Sequence, residues 1–227
     1  MKQLRFYFDL LSPYAWLAFH RLPVALLGCS YEVRYEPVLF AGLLQHHGQL
    51  GPAEIAPKRA WTYRQILWQA RRQGVPLRQP ATHPFNPLPL LRLARACAPA
   101  GGTPNRWVCE TLFHHVWDSG LDAEDPARLP ALLERLSPRR DPASQAVKDE
   151  LRDATAEAAR RGVFGVPTIE LEGRLFWGAD SLEMLRACLQ GDPWFDSPEW
   201  MGAADWPAGS QRRQSRIGGD PGSAPAP

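Results

Sequence analysis

The chain has 227 residues, 44% of them hydrophobic, and a formal net charge of only +2. That is enough to bury one large core, but nothing in it approaches the roughly 18 consecutive apolar residues of a membrane span. No basic patch is concentrated enough for a nucleic acid. The N-terminus runs directly into an alternating strand with no secretory pattern, so a cytoplasmic protein is expected. The four cysteines (Cys29, Cys97, Cys109 and Cys188) are far apart, form no C-x-x-C pair, and read as reduced thiols. The nine tryptophans fall on apolar faces and are expected in the core.

Residues 3–8 alternate as a first strand. Ser12-Pro13 then opens a helix to about Leu27, with Pro23 bending its last turn. Tyr31 to Tyr35 alternates again, so strand, helix and strand imply a parallel crossover. Helices fill the next hundred residues. The first is Pro57–Gln73, stopped by Gly74. Three more open on cap-plus-proline pairs at Asn86-Pro87, Thr103-Pro104 and Asp141-Pro142, and a shorter one spans 127–136. "PTIELEGRLFW" holds two short strands around a Glu172-Gly173 turn. Asp180 is expected to cap a closing helix, with Glu183 completing a capping box. From about Gly202 onward the composition predicts a disordered tail over 202–227.

Removing the helical block leaves βαβ-ββα. The predicted class is therefore α/β: a thioredoxin-like fold with a large all-helical insertion. Residues 1–40 and 163–195 form the thioredoxin-like part and 41–162 the insertion.

In such a fold the start of the first helix holds an anionic sulfur through free N–H groups and the helix dipole. Here that position carries Ser12, with Ala15 where a second cysteine would stand. The alternative reading of Ser12 is a plain helix cap. A serine is a poor unaided nucleophile but a good hydrogen-bond donor, which points to a thiolate arriving on a bound cosubstrate. Val166-Pro167, just before the third strand, matches the backbone clamp that pairs with an extended peptide. Asp180 at a helix start suits an α-ammonium group, and the helix N-terminus suits a carboxylate. Thiol, short peptide and γ-glutamyl end together describe glutathione. Asp9 is read as orienting the loop before Ser12, and Asn86 as a cap. His46-His47 and His114-His115, with Glu110, lack a convincing third metal ligand, so no metal is expected.

"FYFDLLSPYAWLA", "GVFGVPT" and "FWGADSLEML" resemble the signature segments of the 2-hydroxychromene-2-carboxylate isomerases, which are close to the kappa-class glutathione transferases and related to the disulfide oxidoreductase A family. "FAGLLQHHGQLGPAEIAPKRAWTYR" and "HPFNPLPLLRLA" are similar to that family's insertion, and the likeness runs from Phe6 to Leu189. The resemblance implies Ser12 as the thiolate-stabilising residue, Val166 and Pro167 as the clamp, and Asp180 with Ser181 on the γ-glutamyl end. It also implies Lys58 near the site, a small aromatic substrate and a homodimer. The sequence departs from the family at Ala179 and Ser181, where Gly-Gln-Asp-Arg is common, and at Gln45 and Gln65. Three functions follow as expectations: glutathione-dependent cis-trans isomerisation in aromatic catabolism, a kappa-like transferase, or a non-catalytic thiol-peptide binding module.

Overall fold

The computed structural model describes residues 1–206, which divide into two compact units, Met1–Gly191 and the segment from Asp192. In the first unit, β1 (Lys2–Phe8) is followed by α1 (Pro13–Ala25), β2 (Tyr31–Pro37) and α2 (Phe40–His47). Next come α3 (Ala56–Gln73), α4 (Leu88–Ala96), α5 (Arg106–Trp117), α6 (Leu129–Leu136) and α7 (Gln145–Arg160). The chain then returns to the sheet through β3 (Thr168–Leu171), β4 (Arg174–Trp177) and α8 (Leu182–Leu189). In the second unit, α9 (Pro198–Gly202) lies between two 3-10 turns, and Trp194, Phe195 and Trp200 stack edge to face on one another. The expected tail lies mostly at 207–227, outside the described residues; Gly202 ends α9, and Ala203–Asp205 form one of the 3-10 turns.

The sheet order is β2-β1-β3-β4. β1 pairs with β2 in parallel and with β3 antiparallel, and the β3–β4 hairpin turns on Glu172 and Gly173, both at positive φ. That left-handed pair is what a two-residue hairpin requires. Because Tyr7 sits opposite Thr168, the loop leaving β1 emerges beside the segment entering β3. This register places Ser12 next to Val166.

Alternation in β1 sends Phe6 and Phe8 to one face, where they meet Phe19 of α1 and Phe113 of α5. Tyr7 points to the other face, in a cluster with Val38, Leu43, Ala158 and Val163. The inserted helices therefore share both faces of the core with the sheet. Trp16 and Trp117 are fully buried, and each satisfies its indole N–H on a backbone carbonyl, Pro76 O and Leu10 O respectively, both at 2.8 Å. The expectation that the tryptophans all serve the core fails at Trp61, Trp68, Trp107, Trp177, Trp194 and Trp206, which are exposed. On α3, Trp61 and Trp68 are 63% and 58% exposed, because only Ile66 and Ala70 of that helix are buried.

Three helix starts also move. α5 is capped by Asn105, whose side chain accepts from Val108 N–H, not by Thr103. α7 is capped by Ser144, while Asp141 closes a turn on Ala143 N–H ahead of it. At α4, Asn86 accepts from Leu88 N–H but lies one residue before the cap position. In the first two cases the proline forms the approach to the helix, and the polar residue nearest the first free N–H groups becomes the cap.

Candidate active site

The four residues between β1 and α1 are held from several directions. Asp9 is fully buried; its carboxylate accepts from Leu11 N–H at 2.9 Å and from Phe40 N–H at 2.8 Å. Burial pushes this acid up to about 6, against the two N–H bonds that favour its charge. Trp117 Nε1 donates to Leu10 O, and His83 Nε2 meets Leu11 O at 2.8 Å. Since that carbonyl can only accept, Nε2 of His83 carries the proton. Its Nδ1 is then free to accept from Tyr63 Oη at 2.7 Å. Burial lowers the His83 pKa below its usual value, which favours this neutral form.

Ser12 ends the loop as the α1 cap, with Pro13 in the first turn. Its Oγ accepts from Ala15 N–H and donates to Val166 O, both at 3.2 Å. Val166-Pro167 is a cis peptide. The Val166 N–H has no hydrogen-bond acceptor among the described residues, and Pro167 O takes Gly178 N–H at 2.9 Å. The loop 178–181 is thus tied to the clamp.

Asp180 does not cap α8. Ser181 holds the cap position, with its hydroxyl turned back to Gly178 O at 2.9 Å, so no side chain caps the first turn. The turn itself accounts for this: Gly178, at φ +92°, lets the Asp180 carboxylate fold back to where a Cβ of residue 178 would stand. Asp180 is left exposed, with no hydrogen bond or ion pair among the described residues. It lines a cavity of about 520 Å³ together with His20, Arg21, Trp68 and Arg72, the last lying over the Trp68 ring at 5.2 Å. Tyr14, also in the first turn of α1, donates to Gln65 Oε1 at 2.6 Å; burial raises its pKa, and the nearby Asp180 charge adds to the shift.

Ser12, at the start of α1, is thus tied to Val166-Pro167, which is tied in turn to the loop carrying Asp180 and Ser181. Lys58 is different: it is exposed in the first turn of α3 and makes no hydrogen bond or ion pair among the described residues. Gln65 faces Tyr14, whereas Gln45 lines a separate cavity. Of the histidine pairs, His114 pairs with Asp118, and His115 and His47 meet the carbonyls of Ala123 and Val163. Among the described residues no three His, Cys, Asp or Glu side chains gather as a metal site. Sequence reading assigned no role to His83, whose partner is 72 positions away and has no local signature.

The fold is that of a DSBA-like thioredoxin domain, the family to which the chain belongs and which matches residues 3–190. Within it, the chain belongs with the 2-hydroxychromene-2-carboxylate isomerases. It is 32% identical over 197 residues to the one from Pseudomonas sp. (strain C18), covering 83% of this chain and 90% of that protein. A solved 2-hydroxychromene-2-carboxylate isomerase superposes with a TM-score of 0.72 at 25% identity, covering 83% of this chain and 94% of the other. Glutathione S-transferase kappa 1 of Rattus norvegicus is 24% identical over 214 residues, covering 84% and 92%.

Proposed function

We propose that the protein is a glutathione-dependent isomerase of an aromatic 2-oxo acid or its 2-hydroxychromene-2-carboxylate form. The observation that carries this reading is the Ser12 hydroxyl, held at the start of α1 and aimed across at the Val166 carbonyl. A proton donor stands where a resident thiol would otherwise be.

The residues present suit the tripeptide. The unpaired Val166 N–H offers a donor to its backbone, the uncapped N–H groups of α8 suit a carboxylate, and the uncommitted Asp180 suits an ammonium group. When bound, glutathione supplies a thiolate that adds reversibly to a conjugated double bond, allowing rotation without net redox change. The chain's own part is electrostatic. Ser12 turns its hydroxyl from Val166 O toward the sulfur while keeping the Ala15 N–H bond, and the α1 dipole favours the negative charge. Arg21, Arg72 and Trp68 in the cavity beside Asp180 suit an aromatic carboxylate, orienting its ring and its charge. Lys58 is retained as a residue on the acidic groups of either ligand. The cytoplasm and a homodimer complete the proposal, the latter tested by sedimentation equilibrium.

Replacing Ser12 by Ala removes one charge-assisted hydrogen bond, about 1.5–3 kcal/mol, or roughly ten- to 150-fold in the thiolate equilibrium. Titrating thiolate absorbance in saturating glutathione should show that rise in sulfur pKa, with affinity largely kept and turnover of a 2-hydroxychromene-2-carboxylate lowered in step. Wild-type titration and full activity in Ser12→Ala would reduce Ser12 to a helix cap. The kappa-class relatives favour a second reading, transfer with retention of the adduct. Conjugation of an electrophilic aryl halide, in the absence of isomerisation, is the result that selects it.

A further inference from the structure

A second cavity, of about 450 Å³, lies between α2, α4 and α7, and neither Ser12, Val166 nor Asp180 lines it. Its apolar wall includes Leu39, Leu88 and Leu151, and its charged members are Arg92, Lys148 and Arg152. Gly42 sets the approach of α2 to α7: a Cβ there would stand 2.9 Å from Thr155 Cγ2. The volume is in the range of small-molecule sites.

The cations are not equivalent. Arg152 is neutralised by Asp149 and Asp153, and further along α7 Arg160 and Arg161 pair with Glu157. The side chains of Arg92 and Lys148 have no ion pair or hydrogen bond among the described residues. The Nε of Arg92 is moreover buried with no acceptor. A buried donor without an acceptor is uncommon and calls for an explanation. Two unpaired cations beside an apolar wall describe a ligand with an anionic head and a water-averse body.

We propose that this cavity binds an organic carboxylate, with the oxyanion on Arg92 and Lys148 and the apolar body against Leu39, Leu88 and Leu151. The site is independent of the glutathione reading, since it shares none of that reading's residues. A carboxylate fits better than a free phosphate, because the walls give an inorganic ion nothing to replace its water.

The test is calorimetric titration of the full chain with 1-naphthoate, inorganic phosphate and 1-naphthalenemethanol. Naphthoate should bind, with the phosphate and the neutral alcohol each at least about tenfold weaker. Arg92→Gln and Lys148→Gln should each weaken naphthoate by about tenfold or more, while Arg72→Gln, in the cavity beside Asp180, leaves this binding event unchanged. Ala156→Trp, which keeps both cations and fills the cavity, should abolish binding, and it decides the matter if a charge variant fails to fold. Four results overturn the proposal: no naphthoate binding, binding indifferent to Arg92, Lys148 and Ala156, phosphate binding equally well, or loss of binding in Arg72→Gln, which places the ligand at the other site.

Discussion

Asp9→Asn tests how the loop before Ser12 is held. The buried carboxylate accepts two backbone N–H groups, yet burial pushes its pKa from 3.8 up to about 6. The folded state therefore binds more protons than the unfolded chain between these values, and stability must fall as pH rises through that window. A shift of about two units at 1.36 kcal/mol each makes the loss about 3 kcal/mol by pH 7, and less than about 1 kcal/mol at pH 4. Asparagine removes the charge and keeps one acceptor, but its NH2 meets the second N–H donor to donor, where the protonated acid's hydroxyl oxygen can still accept. It should therefore be about 1 kcal/mol less stable than the wild type at pH 4 and about 2 kcal/mol more stable at pH 7. Urea unfolding of both proteins from pH 4 to 7.5 reads the difference directly, with the other titrating groups cancelling. If the asparagine variant is instead less stable, and most so at neutral pH, the two N–H bonds outweigh desolvation and the reasoning fails.

His83→Phe leaves Leu11 O without its donor and the Tyr63 hydroxyl with only the backbone carbonyl of residue 83, and should cost about 1–3 kcal/mol by urea unfolding while lowering turnover. Gly178→Ala forces a left-handed φ on a side chain and a contact with Asp180. It should cost about 1–2 kcal/mol and, on the proposed reading, weaken glutathione binding by calorimetry more than it lowers kcat. Arg95→Met breaks the buried bonds from Arg95 to Glu36 and Pro37 O. Because Arg34 and Arg5 still face Glu36, chemical denaturation should show about 2 kcal/mol, below the 3–5 kcal/mol of an isolated buried pair.

The strands were legible in the sequence because alternation and the Glu172-Gly173 turn are local signals, and their order alone suggests the fold. The α2 helix was not: "FAGLLQHH" is only two turns long, and its position is set by Asp9 and Thr155 accepting from Phe40 and Leu39 N–H. The caps of α5 and α7 were misplaced because a proline marks a turn before a helix as readily as its first turn. Ser12 and Val166 could be picked from local context, but their hydrogen bond spans 154 positions and depends on the register of β1 with β3.

The loop from Asp9 to Ser12 shows why a serine can occupy this place at all. A resident cysteine needs only the helix N-terminus to stabilise its charge, whereas a visiting sulfur must be met by a donor already in position. A free serine hydroxyl rotates, so its usefulness depends on a fixed backbone and a second acceptor that sets its resting direction. Phe40 at the start of α2, with His83 and Trp117 of the insertion, supplies the first requirement, and Val166 O supplies the second. On the proposed reading, the hydroxyl exchanges one acceptor for another without moving the chain, so the reorganisation that accompanies thiolate stabilisation is confined to one rotor. On the same reading the helical insertion contributes to catalysis through the loop it braces, by way of Leu10 O and Leu11 O.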